Sequence, residues 1–175
     1  MKRLMLLTAA GATLAACSTV PPPPPPPPEA AASSVVFHSQ DFAWSSQSGS
    51  GQIAGQVAYS RGGQRYACAG QPVVLIPDAP YSRGRIASLY GSPDHAILSV
   101  AEVRARQAGR PRDEYSAFVR SSTCDAKDHF SFKGLPAGGW FAIVVTRPAS
   151  GDGEPVALMH HVQVRSGAVR ALDLP

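Results

Sequence analysis

Three cysteines and five histidines are the most reactive side chains of this 175-residue sequence. The first cysteine, Cys17, follows Leu-Ala-Ala, and the chain before it carries Lys2, Arg3 and an apolar segment at 4–13. A charged start, an apolar stretch too short to span a bilayer and a small-residue end are typical of an export signal. A thiol at this place can carry a diacylglycerol group as a thioether. The spacing therefore predicts lipidation of Cys17.

Cleavage before Cys17 would divide the chain into a signal peptide at 1–16, a lipidated linker at 17–34 and a globular domain at 35–175. The linker holds eight consecutive prolines at 21–28, which favour a stiff polyproline II stalk of roughly 25 Å. The Leu-Ala-Ala-Cys ending resembles the lipobox of bacterial lipoproteins. In the lipoproteins of Gram-negative bacteria, a non-acidic residue after the cysteine, such as Ser18 here, favours export to the outer membrane. We expect a lipid-anchored protein that faces the periplasm; the alternative is an ordinary secretory signal with an incidental cysteine.

The other two cysteines, Cys68 and Cys124, belong to the globular part. Disulfides persist in exported proteins, so we predict that these two residues pair. Two separate buried thiols are the alternative, because a sequence does not give the distance between them. The spacing of the cysteines does not indicate a metal site.

The histidines do not suggest a metal centre either. His160 and His161 are adjacent, so on a strand their side chains would point to opposite faces. Asp125 and Asp128 could bind calcium, but a polar turn explains them better. The remaining histidines are isolated in sequence: His38, His95 and His129. No motif indicates a hydrolase triad, a zinc protease or a phosphate loop, so we expect no catalytic residues, no metal and no cofactor.

The net charge of the sequence is modest. Sixteen Lys and Arg residues against twelve Asp and Glu give a formal charge of +4, and loss of Lys2 and Arg3 with the signal would reduce it. The remaining basic residues are scattered, with a mild cluster at 104–112. This distribution argues against a nucleic-acid partner.

The stretch at 123–146 has the clearest structural pattern. Phe130 and Phe132 alternate with polar residues, which is the pattern of a strand with one buried face. Pro136 and two glycines then predict a turn. Residues 140–145 are apolar on both alternating faces, which predicts a central strand covered on both sides. We interpret the whole stretch as a hairpin.

This stretch, D-x-x-D-x-F-x-F-x-x-L-P-A-G-x-W, resembles the signature of carboxypeptidase regulatory-like domains, which are transthyretin-like modules of bacterial envelope proteins. The resemblance extends to an upstream block formed by Gly55, Val57, Ala69, Gly70, Pro72, Val73 and Leu75. It implies an all-β, transthyretin-like or immunoglobulin-like sandwich of about seven strands. It implies little about function, because such sandwiches host unrelated roles. Hydroxyisourate hydrolases of this fold end in Tyr-Arg-Gly-Ser, whereas this sequence ends in Ala-Leu-Asp-Leu-Pro.

Alternation and turn residues predict the remaining strands, at 52–60, 72–77, 114–122, 156–164 and 168–174. A hairpin-type turn at Ser166 and Gly167 would join the last two strands. Residues 35–44 could add a short edge strand or a packing segment.

A partly helical insertion at 78–114 departs from the family pattern. Helical spacing predicts one helix over 82–90, and Ser92, Pro93 and Asp94 predict a second helix that runs towards 107. Long insertions on rigid scaffolds often carry binding sites. The candidate binding residues are Tyr81, Arg83, Arg85, Tyr90 and His95. The alternative is that they only form the surface and the packing contacts of the insertion.

The sequence therefore predicts a non-catalytic envelope lipoprotein whose sandwich is a structural or protein-interaction module. Two alternatives stay open. The domain could carry an envelope ligand such as a glycan, or it could be an enzyme that uses groups of the insertion.

Overall fold

A computed structural model of the protein describes residues 36–106 and 113–175. The predicted signal peptide, the proline linker and Cys17 lie outside the described residues. The described part is a β-sandwich, as predicted. Its strands are β1 (Gly51–Val57), β2 (Ser60–Arg61), β3 (Gln64–Ala67), β4 (Pro72–Pro77), β5 (His95–Ser99), β6 (Arg120–Thr123), β7 (His129–Leu135), β8 (Gly138–Pro148), β9 (Val156–Val164) and β10 (Val169–Leu174). Its helices are a 3-10 helix (Ser39–Ser46), α1 (Pro80–Tyr90), α2 (Val100–Ala105) and α3 (Asp113–Ser116).

Two sheets form the sandwich. The small sheet has the order β10-β1-β7, in which β1 is parallel to β10 and antiparallel to β7. The large sheet has the order β6-β4-β8-β9-β5, with all neighbours antiparallel. The short hairpin of β2 and β3 attaches to the end of β8.

The main core lies between the two sheets. Strand alternation sends Leu75 and Trp140 of the large sheet towards Ile53, Phe130 and other residues of the small sheet, and all of these side chains are buried. Burial of each large apolar side chain contributes about 1.5–3 kcal/mol.

A second core covers the outer face of the large sheet. There Phe141 and Met159 meet Phe42 of the 3-10 helix, Ile86 of α1 and Tyr115 of α3. Strand β8 is thus buried on both faces, as its apolar run predicts. The predicted helix over 82–90 is also present, as α1.

The predicted hairpins are wrong. Strands β7 and β8 are consecutive but belong to different sheets, and the same is true of β9 and β10. Each of these turns crosses from one sheet to the other, so that both strands direct an apolar face into the common core. The pattern of alternation is identical whether a strand pairs with its sequence neighbour or faces it across the sandwich.

The predicted helix from Ser92 to residue 107 is also wrong. Most of its first part forms β5, which completes the edge of the large sheet by pairing with β9. Ser99, not Ser92, caps the short helix α2. The Ser99 hydroxyl accepts a hydrogen bond from the Glu102 N–H at 3.1 Å, and the Glu102 carboxylate accepts one from the Ser99 N–H at 2.9 Å. This reciprocal pair is a capping box.

The strand predicted over 114–122 is shorter than expected. Its first half contributes to α3, because the Tyr115 ring packs on Phe42 in the second core with the ring centroids 5.6 Å apart. Strand pairing begins only at Arg120, which lies opposite Leu75 of β4. The described residues hold ten strands instead of about seven, since β2, β3 and β5 were not anticipated.

Candidate functional site

Cys68 and Cys124 form a disulfide, which confirms the predicted pair. The sulfur atoms are 2.06 Å apart and the Cα atoms 5.7 Å apart. Both residues are buried. The bond joins the segment between β3 and β4 to the segment between β6 and β7, and therefore holds two connections of the sandwich together.

The five candidate binding residues of the insertion occupy different environments. Tyr81 packs edge-on against Phe37 and Tyr115, with ring centroids 5.4 and 5.2 Å apart. Tyr90 is buried in the second core, and burial raises the pKa of its phenol to about 12. Burial raises the pKa of the Tyr115 phenol, and the positive charge of Arg85 lowers it by a smaller amount. Tyr81 and Tyr90 therefore serve mainly to pack the insertion.

Arg83 belongs to a polar cluster on the outer face of the large sheet. Its guanidinium donates hydrogen bonds to both carboxylate oxygens of Asp78, one from Nε at 3.0 Å. Asp78 Oδ2 also lies 2.9 Å from Nε2 of His161. A Cβ atom at Gly139 would come within 2.8 Å of the imidazole and 2.9 Å of the carboxylate, so a side chain at this position would displace both groups. The carboxylate is already occupied by two partners, and the cluster anchors α1 to the sheet.

An open cleft of about 510 Å³, lined by both polar and apolar groups, lies against the small sheet and its seam with β6. Gln56 of β1 is in register with Asp173 of β10 on one side and with His129 of β7 on the other. These three exposed residues make a polar row across the sheet. Apart from Asp125, the rest of the lining consists of small or hydroxyl-bearing residues and one aromatic ring: Ala54, Gly55, Ser122, Thr123, Ser131 and Phe130.

Asp125 closes one end of this cleft. Its Oδ1 accepts hydrogen bonds from the N–H groups of Lys127 and His129, at 2.8 and 2.9 Å. Hydrogen bonds from the backbone at His129 and Lys127 lower the pKa of this carboxyl. The Nδ1 atom of His129 lies 3.6 Å from Oδ2 of Asp125. The cleft thus presents an amide, an imidazole and two carboxylates.

No sequence motif indicates this cleft. Alternation in β1, β7 and β10 indicates which residues leave the core, and Gln56, His129 and Asp173 are among them. Their alignment in one row depends on strand register, and β1 and β10 come from opposite ends of the domain.

His95 lies elsewhere, on the edge strand β5. It faces His160 of β9 in the strand register, so it is not isolated as its sequence position suggested. Both histidines line an apolar slot of about 340 Å³ together with Ile97, Leu158 and Leu174. His160 and His161 point to opposite faces of β9, as predicted.

No helix within 36–106 or 113–175 is both long and apolar enough to cross a membrane. Within the same ranges, no group of three or more His, Cys, Asp or Glu residues is placed to hold a metal ion.

Comparison with known proteins supports the fold. No protein-family model matches the chain, and no curated protein matches it. Among solved structures, the chain is similar to a protein of Pseudomonas aeruginosa that is described as a proposed carbohydrate-binding protein, with 20% identity and a TM-score of 0.59 over 79% of this chain and 96% of that chain. A minor pilin of Streptococcus agalactiae is a weaker match, with 12% identity and a TM-score of 0.38 over 73% of this chain and 44% of that chain. The first likeness shows that the chain has a β-sandwich fold.

Proposed function

We propose that the protein is a non-catalytic, lipid-anchored protein of the outer membrane whose sandwich binds carbohydrate from the periplasmic side. The observation that carries the carbohydrate proposal is the polar row of Gln56, His129 and Asp173 in the open cleft of the small sheet. We further propose that the sandwich is a carboxypeptidase regulatory-like domain, on the strength of its sequence motifs.

The chemistry of the cleft suits a ligand rich in hydroxyl groups. Each sugar hydroxyl both donates and accepts, and the cleft offers acceptors in Asp125 and Asp173 and a mixed donor and acceptor in Gln56. The small, exposed side chain of Ala54 lies beside the polar row in the lining. The similar fold of a protein proposed to bind carbohydrate adds support.

The ionisation state of the Asp125 carboxyl group favours ligand binding over catalysis. Backbone N–H groups stabilise its ionised form, so the carboxylate is suited to accept hydrogen bonds and poorly suited to act as a general acid. The Asp78 carboxylate, the other acidic group in a polar cluster, is occupied by Arg83 and His161.

A glycan-binding experiment tests the proposal. The full chain would be screened against an array of bacterial envelope glycans, and hits would be measured by calorimetry for the wild type, Gln56→Ala and Asp173→Ala. Each variant removes hydrogen-bonding groups worth about 0.5–1.5 kcal/mol, or more for a charged group, so affinity should fall roughly 3- to 10-fold or more. Asp152→Ala changes an exposed acidic residue outside the cleft and serves as the control.

Absence of any glycan hit, or a hit whose affinity both cleft variants leave unchanged, would contradict the carbohydrate proposal. Enzymatic turnover of a glycan in the same samples would contradict the non-catalytic part of it.

A protein-interaction module is the second candidate, and the edge strand β5 favours it. The other edge strands carry charged residues that discourage strand addition, with Arg120 on β6, Lys133 on β7 and Arg170 on β10. Strand β5, His-Ala-Ile-Leu-Ser, contains no Lys, Arg, Asp, Glu or Pro, and its Ile97 is 44% exposed. Unprotected edges of this kind can accept a partner strand.

Affinity capture with crosslinking from envelope extract distinguishes this candidate. A protein partner that crosslinks along β5 and is lost in Ile97→Lys would support it. Crosslinks that avoid β5, or a partner that Ile97→Lys retains, would exclude binding at this edge.

A further inference from the structure

His95 and His160 lie side by side on two neighbouring strands. In the antiparallel pair of β5 and β9, the His161 N–H donates a hydrogen bond to the Asp94 carbonyl at 2.6 Å. His161 and Asp94 therefore belong to a hydrogen-bonded position of the ladder. The next position, His95 opposite His160, is a non-hydrogen-bonded one, where side chains approach most closely and Cβ atoms lie about 4.5–5.5 Å apart.

Both side chains point towards the small sheet. On β9, Leu158 and Val162 enter the core between the sheets, and His160 lies between them in the same alternation. On β5, Ala96 and Leu98 pack on the opposite, helical side, which leaves His95 and Ile97 on the side of His160.

At this edge the space between the two sheets is open. The two histidines therefore border the apolar slot instead of lying within a closed core. His160 is half-buried and His95 is exposed, so a small solute has access from solvent to the pair.

The slot gives the two imidazoles mostly apolar surroundings. Its other lining residues are apolar except for Asp173, which supplies a negative charge. A neutral imidazole has a free nitrogen lone pair, which is the form that binds metal ions.

We propose that His95 and His160 form a bidentate binding site for a late divalent transition-metal ion, with Cu²⁺ as the preferred one. Imidazole nitrogen is a good ligand for copper, and Cu²⁺ binds nitrogen ligands more strongly than the other first-row divalent ions. The described residues supply no group of three His, Cys, Asp or Glu ligands, so water completes the coordination and the ion stays open to exchange. The slot and the carbohydrate cleft use different histidines, and Asp173 borders both of them.

Copper titration of the full chain tests the site. Any free thiol would be alkylated first, without reductant, so that a cysteine neither binds nor reduces Cu²⁺. The variants are His95→Ala and His160→Gln, and the matched control is His38→Ala, which removes an exposed histidine outside both proposed sites. Loss of a residue that only orients a ligand costs about 10- to 100-fold in metal affinity, so loss of either ligand should weaken binding by at least about 10-fold.

Electron paramagnetic resonance gives a second readout, and circular dichroism separates the loss of a ligand from a loss of folding. The wild type and His38→Ala should show hyperfine coupling to two imidazole nitrogens per copper. Each slot variant should lose that two-nitrogen pattern while its circular dichroism stays unchanged.

Three outcomes would overturn the proposal. The first is a wild type without the two-nitrogen signal, and the second is an unchanged copper affinity in both slot variants. The third is a loss in only one of them, which would mean that the histidines do not act as a pair.

Discussion

Asp128 connects the turn before β7 to the segment that contains the disulfide. It is buried, and its backbone has a positive φ of 64°. Its Oδ1 accepts hydrogen bonds from the N–H groups of Cys68 and Ala69, at 2.8 and 2.9 Å, and its Oδ2 pairs with Arg65 at 2.7 Å. The sequence identified Asp128 only as part of a polar turn, because its partners lie on a distant segment.

We predict that Asp128→Ala destabilises the fold by about 2–4 kcal/mol. Two backbone N–H groups would lose their acceptor at a partly buried place, and a left-handed backbone disfavours alanine. The ion pair between Arg65 and Asp128 adds little to this loss of stability, because the Arg65 side chain is 63% exposed. Asp128→Asn should cost less, since asparagine keeps one acceptor oxygen and tolerates positive φ. Urea unfolding without reductant measures both, and equal losses in the two variants would contradict this explanation.

At Tyr115, in contrast, we predict a substitution that stabilises the protein. Its ring packs against Phe42 and Tyr81, but its buried hydroxyl has no hydrogen-bond partner. Tyr115→Phe keeps the ring and removes the unsatisfied group, so we expect it to stabilise the protein by about 1 kcal/mol. Tyr115→Ala, which removes the ring as well, should destabilise it by about 3–5 kcal/mol. Urea midpoints check both values, and a destabilised Phe variant would mean that the hydroxyl has a partner.

Tyr115→Phe should also change how the stability of the protein depends on alkaline pH. Burial raises the pKa of the Tyr115 phenol above its ordinary value of 10.0, so the fold favours the neutral form. The stability linked to this group is complete below pH 10 and is lost as the pH rises above that value. Phenylalanine does not ionise, so the stability difference between Tyr115→Phe and the wild type should widen above about pH 10. A constant difference from about pH 8 to 11 would contradict this expectation.

At the scale of elements, the sequence predicted what each strand buries but not which strand it pairs with. Phe130 and Phe132 alternate correctly into the core, and the apolar run around Trp140 is buried on both faces. Periodicity is a local property, whereas pairing depends on the whole sandwich. For the same reason His95 and His160 could not be recognised as neighbours before the register of β5 and β9 was known. Strand β5 itself was missed because Ser92 and Pro93 form a plausible helix start.

The disulfide is the element-scale feature with the largest expected effect on stability. It closes a loop with a sequence separation of 56, and the chain-entropy model assigns such a loop about 4 kcal/mol. We therefore expect the double variant Cys68→Ala/Cys124→Ala to lose about 4 kcal/mol, as measured by urea unfolding. Reductant should lower the urea midpoint of the wild type and leave that of the double variant unchanged. A wild type insensitive to reductant under unfolding conditions would contradict the bond.

At the scale of the whole molecule, the two proposed sites lie on different parts of the sandwich. The carbohydrate cleft uses the outer face of the small sheet, and the copper slot uses the open edge beside β5. Neither site needs movement of the rigid core between the sheets. Asp173 borders both sites, whereas Gln56 lines only the cleft, so Gln56→Ala should leave the copper affinity unchanged.

The proposed lipid anchor at Cys17 determines the compartment in which the protein would meet both ligands. Cys17 lies outside the described residues, and its lipidation follows from the sequence pattern at its position. We predict that the wild type fractionates with outer membranes and incorporates labelled fatty acid in a Gram-negative host. Cys17→Ser should abolish the label and release the chain from that fraction, because each lost acyl methylene removes about 0.8 kcal/mol of membrane binding. The Cys68→Ala/Cys124→Ala variant controls for general cysteine effects and should keep its label. A Cys17→Ser chain that stays in the membrane fraction would instead mean that the protein itself binds the envelope, and the carbohydrate variants would then show whether the cleft is responsible.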